Sequence, residues 1–119
     1  MTKESLTVTT LPMEQEGQRV LKLEGPLTLV TLFDFQDKLR AETSPTVILD
    51  LTDVPYVDSA GLGVIVRGHV SCSNTNRRLI LVGLAERVAT MMQAARVDKV
   101  LVSFPSMREA QASLQTRPA

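Results

Sequence analysis

The sequence predicts a single α/β domain with a mostly parallel, mixed sheet of about five strands and four or five helices. Short apolar runs alternate along the chain with amphipathic stretches at helical spacing, which is typical of strand–helix–strand units. Continuous apolar runs such as "TVILDL" at 46–51 are typical of parallel strands buried on both faces. The length of 119 residues suits one hydrophobic core. We therefore expect one domain over residues 1–119, with its core at about 5–114 and a flexible tail at 115–119.

The first two strands are predicted near the amino-terminal end, as an antiparallel pair. The segments "SLTVTTL" at 5–11 and "QRVLKLEG" at 18–25 both alternate apolar with polar residues. The polar stretch between them ends near Gly17, which suits a hairpin-like connection. This pair is the expected exception in an otherwise parallel sheet.

A helix is predicted after the second strand, where "GPLT" at 25–28 interrupts the alternation. Thr28 is the candidate N-cap, because a threonine oxygen can accept a hydrogen bond from the first helical turn. The helix is expected to end before Pro45, since the residue that precedes a proline disfavours helical geometry. The side chains at helical spacing on its expected buried face are Leu29, Leu32 and Leu39.

The rest of the chain repeats the alternation of strand and helix three more times. Apolar runs predict the third, fourth and fifth strands, and amphipathic stretches between and after them predict helices. The order is therefore β-β-α-β-α-β-α-β-α, with right-handed crossovers expected between parallel strands. The strands are predicted at 46–51, 79–84 and 99–104, and the helices at about 60–72, 84–97 and 106–114.

Composition and charge exclude several classes of function. Lysine plus arginine and aspartate plus glutamate both number 13, so the formal net charge is zero. A neutral chain with 3% aromatic residues is not expected to bind nucleic acid, which calls for basic surface and aromatic stacking. A secretory signal and a membrane-spanning run of roughly 20 apolar residues are both absent, so we expect a cytoplasmic location without membrane insertion.

The segment "VPYVDSAGLGVIV" at 54–66 places an aspartate and a serine between a predicted strand and a predicted helix. Asp58 or Ser59 is therefore a candidate N-cap, which is the structural interpretation. Gly61 and Gly63 each cost a helix about 1 kcal/mol relative to alanine, so close approach by a partner or a phosphoryl group is the functional interpretation. A phosphate on Ser59 would meet the oriented N–H groups and the favourable dipole of the helix start.

The motifs of the chain do not support an enzyme. Ser59 and the only histidine, His69, are ten residues apart, or about 15 Å along a helix, which is beyond hydrogen-bond reach. The pattern G-x-S-x-G is absent around Ser59, and the glycines at 61 and 63 do not extend into a dinucleotide fingerprint. One histidine and the single Cys72 do not supply a metal site. We expect no catalytic residue, no cofactor and no metal.

The chain resembles the STAS domain, and more narrowly the bacterial anti-sigma factor antagonists. The resemblance covers roughly 5–114 and depends on "LKLEG", on "DLTDVPYVDSAGLGVIV" and on "RLILVGLAERVATMMQAARVDKV", with D-S-x-G-L-G at 58–63 as its most specific part. It implies a phosphorylation-controlled partner switch: the antagonist binds an anti-sigma factor that is also a serine kinase, and so frees a sigma factor. It further implies that Ser59 accepts the phosphate and that a phosphatase removes it. The neighbouring residues expected to bind the partner are Asp58, Gly61, Leu62 and Gly63.

The chain departs from the family pattern in the loop after the second strand. Family members often carry an acidic residue there, in a partner-facing loop, where this chain has Thr28. Val30 and Phe33 lie off the expected buried face of the next helix, so they are either exposed contacts for a partner or packed under the hairpin. An alternative function is therefore a constitutive STAS adaptor subunit of an ABC-type transporter or of a larger signalling assembly. Weak nucleotide binding is a third hypothesis, although a phosphate-binding loop is missing.

Overall fold

The protein has the predicted order of strands and helices. The structure, a computed structural model, describes residues 5–12, 15 and 17–115. Of the predicted tail, only Gln115 lies within the described residues, where it ends the last helix. The described elements are β1 (Thr7–Pro12), β2 (Gln18–Glu24), α1 (Leu32–Ala41), β3 (Thr46–Asp53), α2 (Ser59–Asn74), β4 (Arg78–Val82), α3 (Glu86–Ala94), β5 (Val102–Phe104) and α4 (Met107–Gln115).

The strands form one mixed sheet in the order β1-β2-β3-β4-β5. The pair β1 and β2 is antiparallel, and every later pair is parallel, as the sequence predicts. Crossovers between parallel strands share one hand, so three successive crossovers in the same direction place α1, α2 and α3 on one face of the sheet. The helix α4, which follows the last strand, covers the other face.

The core is aliphatic and has two parts, one on each face of the sheet. Alternate residues of β3 belong to different parts: Val47 and Leu49 pack in the larger cluster, and Ile48 packs in the smaller one. The larger cluster also holds side chains from α1, α2 and α3, including the fully buried Phe35. Because β3 is buried on both faces, its continuous apolar run is explained.

The start of α1 differs from the prediction. Residues 28–31 form a turn, in which the Leu32 N–H donates to the Thr28 carbonyl at 2.9 Å, and the N-cap position belongs to Thr31. The prediction that Thr28 caps the helix is therefore wrong. Leu29 lies in this turn rather than on the buried helical face, and 61% of it is exposed.

Candidate functional site at the start of α2

The candidate phosphoacceptor Ser59 is the first residue of α2 and is exposed. It lies beyond the carboxyl end of β3, after a short connection at 54–58. Leu27 pairs with this connection: its N–H donates to the Tyr56 carbonyl at 3.1 Å, and its carbonyl accepts from the Asp58 N–H at 3.1 Å. These hydrogen bonds hold the approach to α2 beside the loop that follows β2.

Asp58 is the N-cap of α2. Its Oδ1 accepts a hydrogen bond from the Gly61 N–H at 2.8 Å, which satisfies one of the free donors of the first turn. Its Oδ2 accepts from the Leu29 N–H at 2.9 Å, so the same carboxylate also binds the 28–31 turn. The sequence left the cap open between Asp58 and Ser59. Because Asp58 makes the cap, the Ser59 hydroxyl is not used for it.

The Asp58 carboxylate is ionised at neutral pH. Partial burial raises the pKa of Asp58, but hydrogen bonds from backbone N–H groups outweigh this effect and hold the pKa below that of an ordinary aspartate. The donors are Gly61, Leu29 and Ala60. The Gly61 and Ala60 N–H groups of the first turn are thus already engaged by Asp58, and a phosphate on Ser59 would lie next to a fixed negative charge.

The two glycines of the motif have different surroundings. A Cβ on Gly61 would lie against the Leu27 carbonyl oxygen and 2.8 Å from Leu27 Cγ, so only glycine lets α2 approach that loop. A Cβ on Gly63 would meet only the flexible Arg67 guanidinium, 3.3 Å from Nη1. Packing against Leu27 therefore explains why residue 61 is glycine. For Gly63, close approach by a partner remains the functional interpretation.

An apolar patch lies beside this helix start, on the 28–31 turn and the first turn of α1. We call Leu29, Val30 and Phe33 the 29–33 patch; they are 61%, 77% and 59% exposed. Exposure of Val30 and Phe33 matches one of the two sequence-based alternatives and excludes packing under the hairpin. The sequence missed Leu29, because its helical spacing suggested a buried face. The Asp58–Leu29 hydrogen bond joins the patch to the start of α2.

Three of the predicted partner-binding residues are buried in this chain. Thr28, Gly61 and Leu62 belong to the interior; Thr28 and Leu62 are each 7% exposed. Their contacts with a partner stay a prediction, and the accessible surface at the site is formed by the other predicted residues, Ser59, Val30 and Phe33, with Asp58 and Gly63 partly exposed.

The structure agrees with the exclusion of a serine–histidine pair. His69 and Ser59 lie on the same continuous helix, so their separation is about 15 Å along its axis. The sequence did not connect α3 to the site, yet the Arg87 guanidinium lies 5.3 Å from the ring centroid of Tyr56 in the 54–58 connection. Within residues 5–12, 15 and 17–115, no three side chains of metal-ligating type come together.

The helices of the described part of the chain include none that is both long enough and apolar enough to span a bilayer.

Fold and site together define a small α/β domain that presents a serine at the start of a helix. The family model of the STAS domain matches residues 12–110. The chain therefore belongs to the STAS domain family.

Individual relatives and solved structures are similar to the chain at low identity. The anti-sigma-B factor antagonist of Listeria monocytogenes is 34% identical over 53 residues, which is 44% of this chain and 46% of that protein. The chain thus matches less than half the length of this curated relative. An anti-sigma factor antagonist from Mycobacterium paratuberculosis superposes with a TM-score of 0.78 at 19% identity, covering 92% of this chain and 95% of that one. The phosphorylated form of SpoIIAA from Bacillus gives 0.70 at 16% identity, with 91% and 99% covered.

Proposed function

We propose that the protein is an anti-sigma factor antagonist whose binding is controlled by phosphorylation of Ser59. In its unphosphorylated form it binds an anti-sigma factor and so releases a sigma factor. The anti-sigma factor, acting as a serine kinase, phosphorylates Ser59 and thereby ends the complex, and a phosphatase restores the hydroxyl. The observation that carries this proposal is the exposed Ser59 between the ionised Asp58 and the 29–33 patch.

The 29–33 patch supplies the surface that a partner would cover. Leu29, Val30 and Phe33 are large apolar side chains on one short segment, and a contiguous exposed apolar patch is typical of an interaction site. Asp58 fixes the main chain of this segment beside the first turn of α2. A partner that covers the patch therefore also approaches Ser59.

Phosphorylation would alter this surface by charge alone. A phosphoserine adds about −1.5 to −2 charge at neutral pH. That charge would stand beside the Asp58 carboxylate, whose first-turn N–H donors are already engaged. Docking would remove water from both groups, which is unfavourable for neighbouring charges of one sign. The domain needs no refolding to release the partner.

The names of similar proteins support the proposal. The Listeria relative is called an anti-sigma-B factor antagonist, and the aligned region is 34% identical to this chain. SpoIIAA, which shares this fold, has been solved in a phosphorylated form. Two observations extend the role of these proteins to the present chain in this proposal: it belongs to the same family, and its Ser59 is exposed.

Phosphorylation of Ser59 is the first expected result. Incubation of the protein with ATP and the candidate anti-sigma kinases of its own genome should add one phosphoryl group, because the hydroxyl is exposed and not used in capping. Intact-protein mass spectrometry measures this addition. The Ser59→Ala variant is the control and should remain unmodified. Phosphorylation of Ser59→Ala to the same extent, or of neither protein by any kinase, would contradict the proposal.

The 29–33 patch should carry much of the partner's affinity. The double substitution Val30→Ser with Phe33→Ser should weaken partner binding at least about 100-fold, because burial of each original side chain contributes about 1.5–3 kcal/mol. Calorimetric titration with the anti-sigma factor measures the change. The matched control is Val100→Ser, a substitution at a residue that is 54% exposed and precedes β5, at the opposite end of the sheet. Equal losses in the two proteins would reject the patch as the docking surface.

A further inference from the structure

A groove of about 220 Å³ lies between α1 and α2, away from the candidate phosphoacceptor. The two helices touch at Gly68, where a Cβ would lie 2.7 Å from Leu39 Cδ2. Beside this contact, the apolar side chains of Leu39, Val64 and Cys72 line the groove. All three are buried, so they form its floor.

Three arginines from three parts of the chain line the same groove: Arg40 of α1, Arg67 of α2, and Arg77, which precedes β4. Arg77 is held in place, because its Nη1 donates to the Glu42 carbonyl at 2.9 Å and its Nε donates to Thr75 Oγ1 at 2.9 Å. Arg40 and Arg67 are exposed. The groove therefore has an apolar floor and a cationic rim.

The three arginines of this rim have no carboxylate in ion-pair contact among the residues that the structure describes. Within that part of the chain, no acidic residue lines the groove. The acidic residue closest in sequence to Arg40 is Glu42, whose backbone carbonyl binds Arg77. The Glu42 carboxylate is occupied by other partners: it accepts a hydrogen bond from the Ser44 hydroxyl at 2.6 Å and lies 3.6 Å from Arg19 Nε. In a chain of zero net charge, the groove is thus a local concentration of guanidinium groups.

We propose that this groove binds a small phosphorylated organic molecule. Arginine guanidinium groups bind phosphate with paired, charge-assisted hydrogen bonds, and three of them suit a group with about two negative charges. The floor of Leu39, Val64 and Cys72 suits an apolar body attached to that phosphate. The volume lies below the roughly 300–1,000 Å³ of pockets for drug-sized ligands, so the molecule is compact.

The centre of this groove lies apart from the proposed phosphoacceptor. Ser59 and Gly68 lie nine residues apart on α2, which corresponds to about 13 Å along the helix axis. Binding in the groove requires neither the Ser59 hydroxyl nor a sigma-factor partner, so failure of either proposal leaves the other unaffected.

Titration with phenyl phosphate tests the groove, with chemical shifts of backbone amides as the readout. Saturable shifts are expected in 36–40 and 64–72. The Arg67→Gln variant, which replaces an exposed side chain and should fold normally, should bind about tenfold more weakly, because a charge-assisted hydrogen bond is lost. The matched control is Arg108→Gln on α4, at the opposite face of the sheet, which should bind as the original protein does. Arg77 is left in place because it holds the carbonyl of Glu42.

Two further probes test separately whether the apolar body and the second negative charge of the ligand contribute to binding. Inorganic phosphate lacks the apolar body and benzoate lacks one negative charge, so both should bind more weakly than phenyl phosphate. Absence of saturable shifts, equal affinity in Arg67→Gln and the original protein, or equal affinity for either of these probes would overturn the proposal.

Discussion

Replacement of Ser59 with aspartate is expected to weaken binding to the anti-sigma factor by at least about 30-fold while the domain stays folded. The new carboxylate would stand beside Asp58, which is already ionised, and docking would desolvate both. A mispaired charge in an interface costs about 2–5 kcal/mol, which corresponds to a loss of affinity between about 30-fold and several thousand-fold. Calorimetric titration with the partner measures the loss.

The fold should tolerate this substitution. Ser59 is exposed and begins α2, and a negative charge at a helix start is favourable, so the free energy of unfolding should change by no more than about 0.5 kcal/mol. Urea denaturation measures it. Ser59→Ala is the control and should bind the partner as the original protein does. If Ser59→Asp binds as tightly as Ser59→Ala, the chain is better described by the alternative of a constitutive adaptor subunit.

Replacement of Gly61 with alanine is expected to destabilise the domain by up to about 2 kcal/mol, the overpacking cost less the gain in helix propensity. Alanine is the better helix former by about 1 kcal/mol, yet its Cβ would press on the Leu27 carbonyl oxygen and lie 2.8 Å from Leu27 Cγ. A backbone carbonyl that is itself hydrogen-bonded to the Asp58 N–H cannot move aside freely, and overpacking of this kind costs about 1–3 kcal/mol. The midpoint and slope of urea denaturation measure the change.

Gly63→Ala is the matched control, one half-turn further along the same helix. Its Cβ would meet only the mobile end of Arg67, so the gain in helix propensity should leave stability unchanged or raise it by up to about 1 kcal/mol. Equal denaturation midpoints for Gly61→Ala and the original protein would show that α2 does not depend on close approach to Leu27.

The sequence predicts the sheet well and the loops less well. Apolar runs such as 46–51 identify buried strands because burial on both faces leaves no polar alternation. The start of α1 escaped prediction because its determinants are distant in sequence: Leu27 pairs with Val57, and the Leu29 N–H binds Asp58. Local capping signals at Thr28 do not contain those contacts.

The candidate site shows the same division. The sequence could place Ser59 between a strand and a helix. It left the N-cap of α2 open between the Asp58 carboxylate and the Ser59 hydroxyl, because the choice depends on the positions of the N–H donors. It also treated Gly61 and Gly63 alike, and only the packing of α2 against Leu27 separates them. The arginine-lined groove could not be foreseen, because it depends on how α1 crosses α2.

The hydrogen bond from Leu29 to Asp58 has a consequence for how such modules diversify. It uses a main-chain N–H, which every amino acid except proline possesses. Substitutions at Leu29, Val30 and Phe33 can therefore change which protein is recognised without loosening the segment or disturbing the serine. Duplicated genes can in this way acquire new binding specificities while they inherit one chemical signal intact.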